Sequence, residues 1–237
     1  MNLPSATLLD LWEAGVAHAP AARPAALLAE AAREPLAVIE RLPLGRRDAR
    51  LLQWYRENAG TRLEALTDCP WCSEPMELEF DASDVERPAG SGAAVTANEE
   101  GWRVSWRPPD TLDFCKAAAA GSAEAAREVL MECCLTISSP DEIHGPPEHL
   151  LEKLMDLAAA ADPQADVQLA LTCPACSAAW QVPFDIGAFL WKQIEWEAVQ
   201  LLAQVHELAA ACSWSEAEIL SLSPARRSAY LQLARSA

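Results

Sequence analysis

The chain of 237 residues carries 35 acidic and 18 basic side chains, which gives a formal net charge of −17 and a pI near 4.6. Because nucleic-acid binding requires a basic surface that releases counterions from the phosphate backbone, this balance argues against DNA or RNA as a partner. No apolar run approaches the ~20 residues of a membrane-spanning helix, and the first part of the chain carries Asp10 and Glu13 without a basic segment, so neither a membrane span nor a secretory signal is expected.

Residues 1–62 are predicted to form an N-terminal helical segment. Apolar residues recur at helical spacing over 5–16 and 23–33, and Ser5 is placed to cap the first of these helices. A third helix follows Gly45, where apolar residues form one stripe and arginines face elsewhere. The tryptophans and the tyrosine of this segment are expected to belong to the core.

Two stretches of the chain repeat each other 104 positions apart. The first is Cys69-Pro70-Trp71-Cys72-Ser73 and continues to Phe80-Asp81, and the second is Cys173-Pro174-Ala175-Cys176-Ser177 and continues to Phe184-Asp185. In both copies the Cys-Pro-x-Cys-Ser turn leads into residues that alternate between apolar and polar, which is the pattern of a strand. Residues 63–81 and 167–185 are therefore predicted to be the two halves of a split zinc ribbon.

The segment between these halves, 82–166, is predicted to be an insertion of loop, strand and helices. Proline, glycine and serine interrupt any periodicity over 87–101, so a flexible loop is expected there. Residues 102–106 alternate strictly and predict a strand. Helices are predicted from Asp110 onwards, over 122–134 and over 148–161, with a loop at 140–147 between the last two.

The last segment, 186–237, is predicted to be helical. Asp185 can cap a long helix that keeps one apolar face to about Ala211. A capping box at Ser215-x-x-Glu218 predicts a short helix, and a further helix is expected over 226–233. The fold class that follows is α+β and mostly helical, with split zinc-ribbon hairpins between helical N- and C-terminal segments.

Four cysteines have the spacing of metal ligands: Cys69, Cys72, Cys173 and Cys176. A tetrahedral zinc ion takes four thiolates, and each Cys-x2-Cys turn supplies two of them. Redox chemistry of the glutaredoxin type, a structural disulfide and unliganded thiols are the alternatives. The expected strands after both turns favour zinc, because a redox cysteine of that type starts a helix. A four-thiolate site is closed to water and substrate, so the zinc is predicted to be structural.

Several motifs resemble those of a known family. They include the two Cys-Pro-x-Cys-Ser turns at 69–73 and 173–177, here called the knuckles, and three further stretches: Leu42-Pro43-Leu44-Gly45-Arg46-Arg47-Asp48, Phe184-Asp185-Ile186 with Phe189-Leu190-Trp191, and Trp214-Ser215-Glu216 with Arg226-Arg227-x-x-Tyr230-Leu231. In this combination the chain resembles the base plate protein family of T-even-type contractile phage tails, relatives of which are encoded with bacterial contractile injection systems. The resemblance spans most of the chain and is weakest over 82–166. It implies a role in baseplate hub assembly, as a hub component or an assembly chaperone.

No catalytic motif is recognisable in the sequence. It contains no phosphate-binding glycine loop, no Gly-x-Ser-x-Gly elbow and no His-Glu-x-x-His helix. Of its four histidines, three lie in predicted loops or at helix edges, and His206 lies on the predicted long helix, where a surface histidine is expected. We therefore expect a non-enzymatic protein that binds baseplate or hub subunits, with no membrane, nucleic acid or small-molecule substrate as partner. Its expected location is the cytoplasm during assembly and also the assembled particle. Unpaired thiols fit the reducing cytoplasm. The predicted contact residues are Arg46, Arg47, Arg226 and Arg227.

Two functions of other classes remain open from the sequence. A zinc-ribbon regulator or nucleic-acid accessory protein would bind DNA or RNA in a salt-dependent manner. A dithiol oxidoreductase would have a reactive cysteine of low pKa and no bound metal.

Overall fold

A computed structural model describes residues 3–88, 90–138 and 145–236. The fold is α+β and mostly helical, as predicted. The helices are α1 (Ser5–Val16), α2 (Arg23–Ala32), α3 (Leu36–Ile39), α4 (Leu44–Asn58), α5 (Ala82–Val85), α6 (Thr111–Ala118), α7 (Ala123–Cys134), α8 (Glu148–Ala161), α9 (Ile186–Cys212), α10 (Glu216–Leu220) and α11 (Pro224–Ser236). In the parts of the chain that the structure describes, no helix has the length and apolar character needed to cross a bilayer.

The strands of the described residues form three separate antiparallel sheets. These are β1 (Arg62–Asp68) with β2 (Pro75–Asp81), the three-stranded sheet of β3 (Val95–Glu99), β4 (Trp102–Trp106) and β5 (Leu135–Ser138), and β6 (Val167–Thr172) with β7 (Ala179–Phe184). The first and last sheets are hairpins that contain the two knuckles in their turns.

The main core forms where α1, α2 and α4 pack against the N-terminal part of α9. Apolar residues of α9 recur every three or four positions, so they share one buried face, and they include Leu190, Ile194 and Ala198. Gly15 allows close approach of α1 to α9, because a Cβ there would lie 2.0 Å from the Trp191 ring. The C-terminal part of α9 packs with α10 and α11 in a second, smaller core.

The bases of both hairpins are anchored in the main core. Leu63 and Phe80 are partners across β1 and β2, and Val167 and Phe184 are the corresponding partners across β6 and β7. Leu63 and Val167 are buried in the main core, and the rings of Phe80 and Phe184 meet edge to face at 5.4 Å. The two repeated stretches therefore occupy equivalent positions, and their turns lie at the far ends of the hairpins.

The insertion contains more strand than the sequence predicts. Within the predicted loop at 87–101, Val95–Glu99 is a strand that pairs with β4, and Leu135–Ser138 adds a third strand. Both are short, and they are stabilised by pairing with β4 and by packing against α8 rather than by a local pattern. Residue 89 of the predicted loop, and 140–144 of the loop predicted at 140–147, lie outside the described residues.

Most predicted helix caps are present, and one is wrong. Asp185 accepts a hydrogen bond from the Ala188 N–H at 2.9 Å, and Ser215 forms the predicted capping box. Ser5 is instead the first residue of α1 after Pro4, with no capping hydrogen bond. Its hydroxyl oxygen accepts a hydrogen bond from Arg227 at 2.8 Å, so this serine connects the two ends of the chain.

Candidate metal centre

The two knuckles have the same backbone structure. In the first, the Cys69 N–H donates to the Glu74 carbonyl at 2.9 Å and the Ser73 N–H donates to the Cys69 carbonyl at 2.8 Å. The second repeats both bonds at 2.9 Å, from Cys173 to Ala178 and from Ser177 to Cys173. Each turn thus directs two thiols to the same side, which is what a chelating Cys-x2-Cys turn requires.

Both knuckle serines adopt a left-handed backbone conformation. The φ angle is 60° at Ser73 and 59° at Ser177. Glycine is favoured at such positions because a Cβ costs about 1–2 kcal/mol there. Both turns therefore adopt with serine the backbone conformation that such turns often adopt with glycine.

The structure brings the four predicted ligands together. The thiol sulfurs of Cys69, Cys72, Cys173 and Cys176 all lie within 4.8 Å of one another. The Sγ–Sγ distance is 3.7 Å between Cys69 and Cys176 and 3.6 Å between Cys72 and Cys173. A tetrahedron with metal–sulfur bonds of about 2.3 Å has edges of about 3.8 Å, whereas a disulfide bond is about 2.05 Å long. The cluster therefore has the dimensions of a four-thiolate metal site and could hold a metal ion.

The four thiols differ in exposure and in acidity. Cys69 and Cys173 are buried, while Cys72 and Cys176 are exposed. Burial opposes ionisation of Cys69, but the backbone N–H groups of Cys72 and Trp71 and the neighbouring thiols outweigh it and lower its pKa to about 7. At Cys72 the Glu74 N–H favours the thiolate, yet the surrounding thiols raise its pKa to about 12. Successive ionisation of clustered thiols is costly, and a divalent cation removes that cost.

Few apolar side chains surround the cluster. Met76 packs against Cys69 and Cys173 with the half-buried Leu78 and Trp180, and Trp71 meets Trp180 edge to face at 5.5 Å. The two hairpins belong to separate sheets in the described chain, so no strand pairing joins them. The thiol cluster is thus the main device that can hold the two hairpin ends together.

The remaining cysteines lie apart from this cluster. Among the described residues, the knuckle cysteines form the only group of three or more Cys, His, Asp or Glu side chains whose ligand atoms are close enough to share a metal ion. Cys134 is buried in the insertion, where burial raises its pKa to about 12 and its sulfur lies 3.9 Å from Asp113 Oδ2. Cys115, Cys133 and Cys212 are partly buried free thiols.

No family model, curated protein or solved structure matches this chain. The resemblance to the base plate family therefore stays a prediction, and the geometry of the chain itself carries the functional argument.

The four arginines that the sequence marks as contact residues have different environments. Arg47 is 4% exposed and donates to Asp48 and to Thr111, and Arg227 is 5% exposed and donates to Ser5. These two arginines hold the fold together, so their prediction as contact residues is wrong. Helical spacing could have predicted the burial of Arg47, because position 47 lies on the same face of α4 as the buried positions 51 and 55. Arg46 and Arg226 remain accessible.

The described histidines lie on helices or just beyond a helix end. His18 Nδ1 lies 2.8 Å from the Ala14 carbonyl oxygen, and His149 Nε2 lies 2.9 Å from Glu99 Oε1. His206 is exposed on α9. His144, which the sequence places in a loop, lies outside the described residues.

Proposed function

We propose that this chain is a non-enzymatic assembly factor or structural component of a contractile phage tail or injection-system baseplate, stabilised by a structural zinc site with four cysteine ligands. The observation that carries the proposal is the cluster of four thiols that joins two hairpins from distant parts of the sequence. The resemblance of the knuckles and the C-terminal motifs to the base plate family supports the biological context.

The chemistry of the cluster favours zinc in a structural role. Tetrahedral sites with four sulfur ligands are typical of zinc or of iron–sulfur centres, and Cys-x2-Cys turns followed by strands are typical of zinc ribbons. Four protein thiolates complete the coordination shell, so water and substrate have no open position. Such a zinc ion stabilises a fold by about 10–16 kcal/mol in small zinc domains, which is comparable with the stability of a whole domain.

The surface of the chain supports a role in binding other proteins. The net charge of −17 suits contact with a basic subunit during assembly in the cytoplasm and in the finished particle. Trp71 and Trp196 are 62% and 66% exposed, and tryptophan is enriched at protein interfaces. In this proposal the two tryptophans, together with Arg46 and Arg226, contact a baseplate or hub subunit.

Affinity purification tests this function. The tagged chain is expressed with its own neighbouring genes, and the recovered proteins are identified by mass spectrometry. Recovery of baseplate or hub subunits, reduced by Trp71→Ala and Trp196→Ala, is the expected result. Recovery of nucleic acid or transcription machinery would instead support a zinc-ribbon regulator, and unchanged recovery with both variants would remove the tryptophans from the proposed interface.

A further inference from the structure

A wide cleft lies on the side of α4 that faces away from the main core. Its volume is about 900 Å³, and it is bounded by α4, by the chain around Glu86 and by the end of α8 with the turn that follows. The residues of α4 that line it recur at helical spacing and are Gly45, Arg46, Ala49, Arg50, Gln53, Arg56 and Glu57. Arg87 lines it from the opposite side, so four arginines share one cleft of a strongly acidic chain.

Within the described chain, two of the four cleft arginines form ion pairs and the other two have no directly bonded carboxylate. Arg50 pairs with Glu34 at 2.5 Å and Arg56 pairs with Glu86 at 2.7 Å. Among the described residues, the guanidinium groups of Arg46 and Arg87 donate only to main-chain carbonyl oxygens, at 2.7 Å for Arg46 and 2.9 Å or more for Arg87. A guanidinium has five N–H donors, so each of these side chains keeps donors for a ligand.

Arg46 makes some contacts within the fold: its guanidinium donates to the Ser91 carbonyl at 2.7 Å, Gly92 packs closely against it, and its charge acts on the Asp162 carboxylate. Arg46 lies in the first turn of α4, where the helix dipole disfavours a positive charge. It also stands four residues before Arg50, and like charges at that spacing destabilise a helix. The opposite face of α4, with Leu51, Leu52 and Tyr55, already anchors the helix in the core. The hydrogen bond to Ser91 uses only part of the donor capacity of Arg46, so the guanidinium can also bind a ligand.

We propose that the cleft binds an acidic peptide segment of a partner protein, with Arg46 and Arg87 each holding a carboxylate. The planar guanidinium binds carboxylates through paired hydrogen bonds, which makes arginine suited to this task. The cleft is larger than one carboxylate needs and is open to solvent, as an extended peptide requires. Glu57, Glu86 and Asp162 also line the cleft, so only a segment that places its carboxylates at Arg46 and Arg87 is favoured. A nucleic-acid strand has a phosphate at every residue, so these carboxylates and the net charge of −17 repel it more strongly than a peptide with a few spaced carboxylates. Arg46 is also a contact residue in the proposed function, but binding of an acidic peptide in this cleft does not require the partner to be a baseplate subunit.

Fluorescence anisotropy with synthetic peptides tests the cleft. The probe is a labelled eight-residue peptide of alternating glutamate and glycine, and the matched peptide has glutamine in place of glutamate. We expect the intact chain to bind the glutamate peptide at least tenfold more tightly than the glutamine peptide. The double variant with Arg46→Gln and Arg87→Gln should bind the glutamate peptide at least tenfold more weakly than the intact chain does. Arg103→Gln with Arg127→Gln, two exposed arginines outside the cleft, serves as the control and should change the affinity less than twofold.

A thermal melt of each variant accompanies the binding experiment. Arg46→Gln loses the hydrogen bond to Ser91 but also removes a positive charge from the first turn of α4, so the variant should keep a cooperative melt, and loss of affinity in a folded variant supports the proposal. Equal affinity for the two peptides, or no loss of affinity in the cleft variant, would overturn the proposal. Tighter binding of a labelled eight-nucleotide single-stranded DNA than of the glutamate peptide would also overturn it and would assign the cleft to nucleic acid.

Discussion

Replacing Cys173 by serine should release the ends of the two hairpins while the helical core stays folded. Cys173 is buried and supplies one of the four clustered thiols. Around it the apolar contacts are few, and no strand pairing in the described chain links the two hairpins. The hairpin bases are different, because Leu63 and Val167 are buried in the main core.

The expected size of the effect follows from the metal and from the small contact area. Structural zinc stabilises small domains by about 10–16 kcal/mol, and an isolated two-stranded hairpin is marginal in water. Losing only about 4 kcal/mol of this stabilisation would raise the population of the opened hairpin ends about a thousandfold, since each 1.4 kcal/mol is a factor of about ten. The main core does not depend on the thiols, so we expect local rather than global unfolding.

Hydrogen–deuterium exchange with mass spectrometry measures this difference directly. In Cys173→Ser, peptides from 64–79 and 169–182 should exchange rapidly, whereas peptides from α2, α4 and α9 should keep their protection. Cys212→Ser is the matched control, because Cys212 is a partly buried free thiol outside the cluster. Protected hairpin ends in Cys173→Ser would refute the reasoning, and so would loss of protection throughout the chain.

Two further predictions concern stability away from the thiols. Gly15→Ala should lower the free energy of unfolding by about 1–3 kcal/mol in urea titrations, because the new Cβ would overlap the Trp191 ring, whereas Gly145→Ala, with open space around it, should be neutral. Equal stability of these two variants would show that α1 and α9 are less closely packed than described. Asp113→Asn should cost about 2–4 kcal/mol at pH 7, because it breaks the ion pair with the half-exposed Arg107. The hydrogen bonds from Arg107 overcome burial and hold the pKa of Asp113 well below its usual range, so this stabilisation should be present above about pH 4 and be lost at lower pH. A difference between the variant and the intact chain that stays constant from pH 7 to pH 2 would exclude this account.

The elements that sequence analysis predicts well are those with strong local signals. The long helix α9 has a regular apolar face and a capping aspartate, and α8 spans the predicted 148–161. The four metal-site cysteines were also predictable, because a repeated Cys-x2-Cys turn identifies ligands without knowledge of the fold. In both cases the information lies within one short stretch of chain.

The features that sequence analysis misses depend on tertiary contacts. The strand at Val95–Glu99 forms because β4 and α8 provide its partners, and its two inward-facing residues, Val95 and Ala97, are too short a pattern to predict it. Arg47 is charged and was expected on the surface, yet it is buried, with hydrogen bonds to its neighbour Asp48 on α4 and to Thr111 on α6. The arginine cleft also needs the fold, because Arg87 joins the α4 arginines only after the chain turns back.

Native mass spectrometry of the intact chain, purified without added metal, tests the central claim most directly. We expect about one zinc per chain, the count that a four-thiolate site requires, and loss of that zinc in Cys176→Ser. The intact chain and the variant should otherwise have the same oligomeric state. A chain that stays metal-free when zinc is supplied, or a mass that shows the four thiols joined in disulfides, would contradict the account.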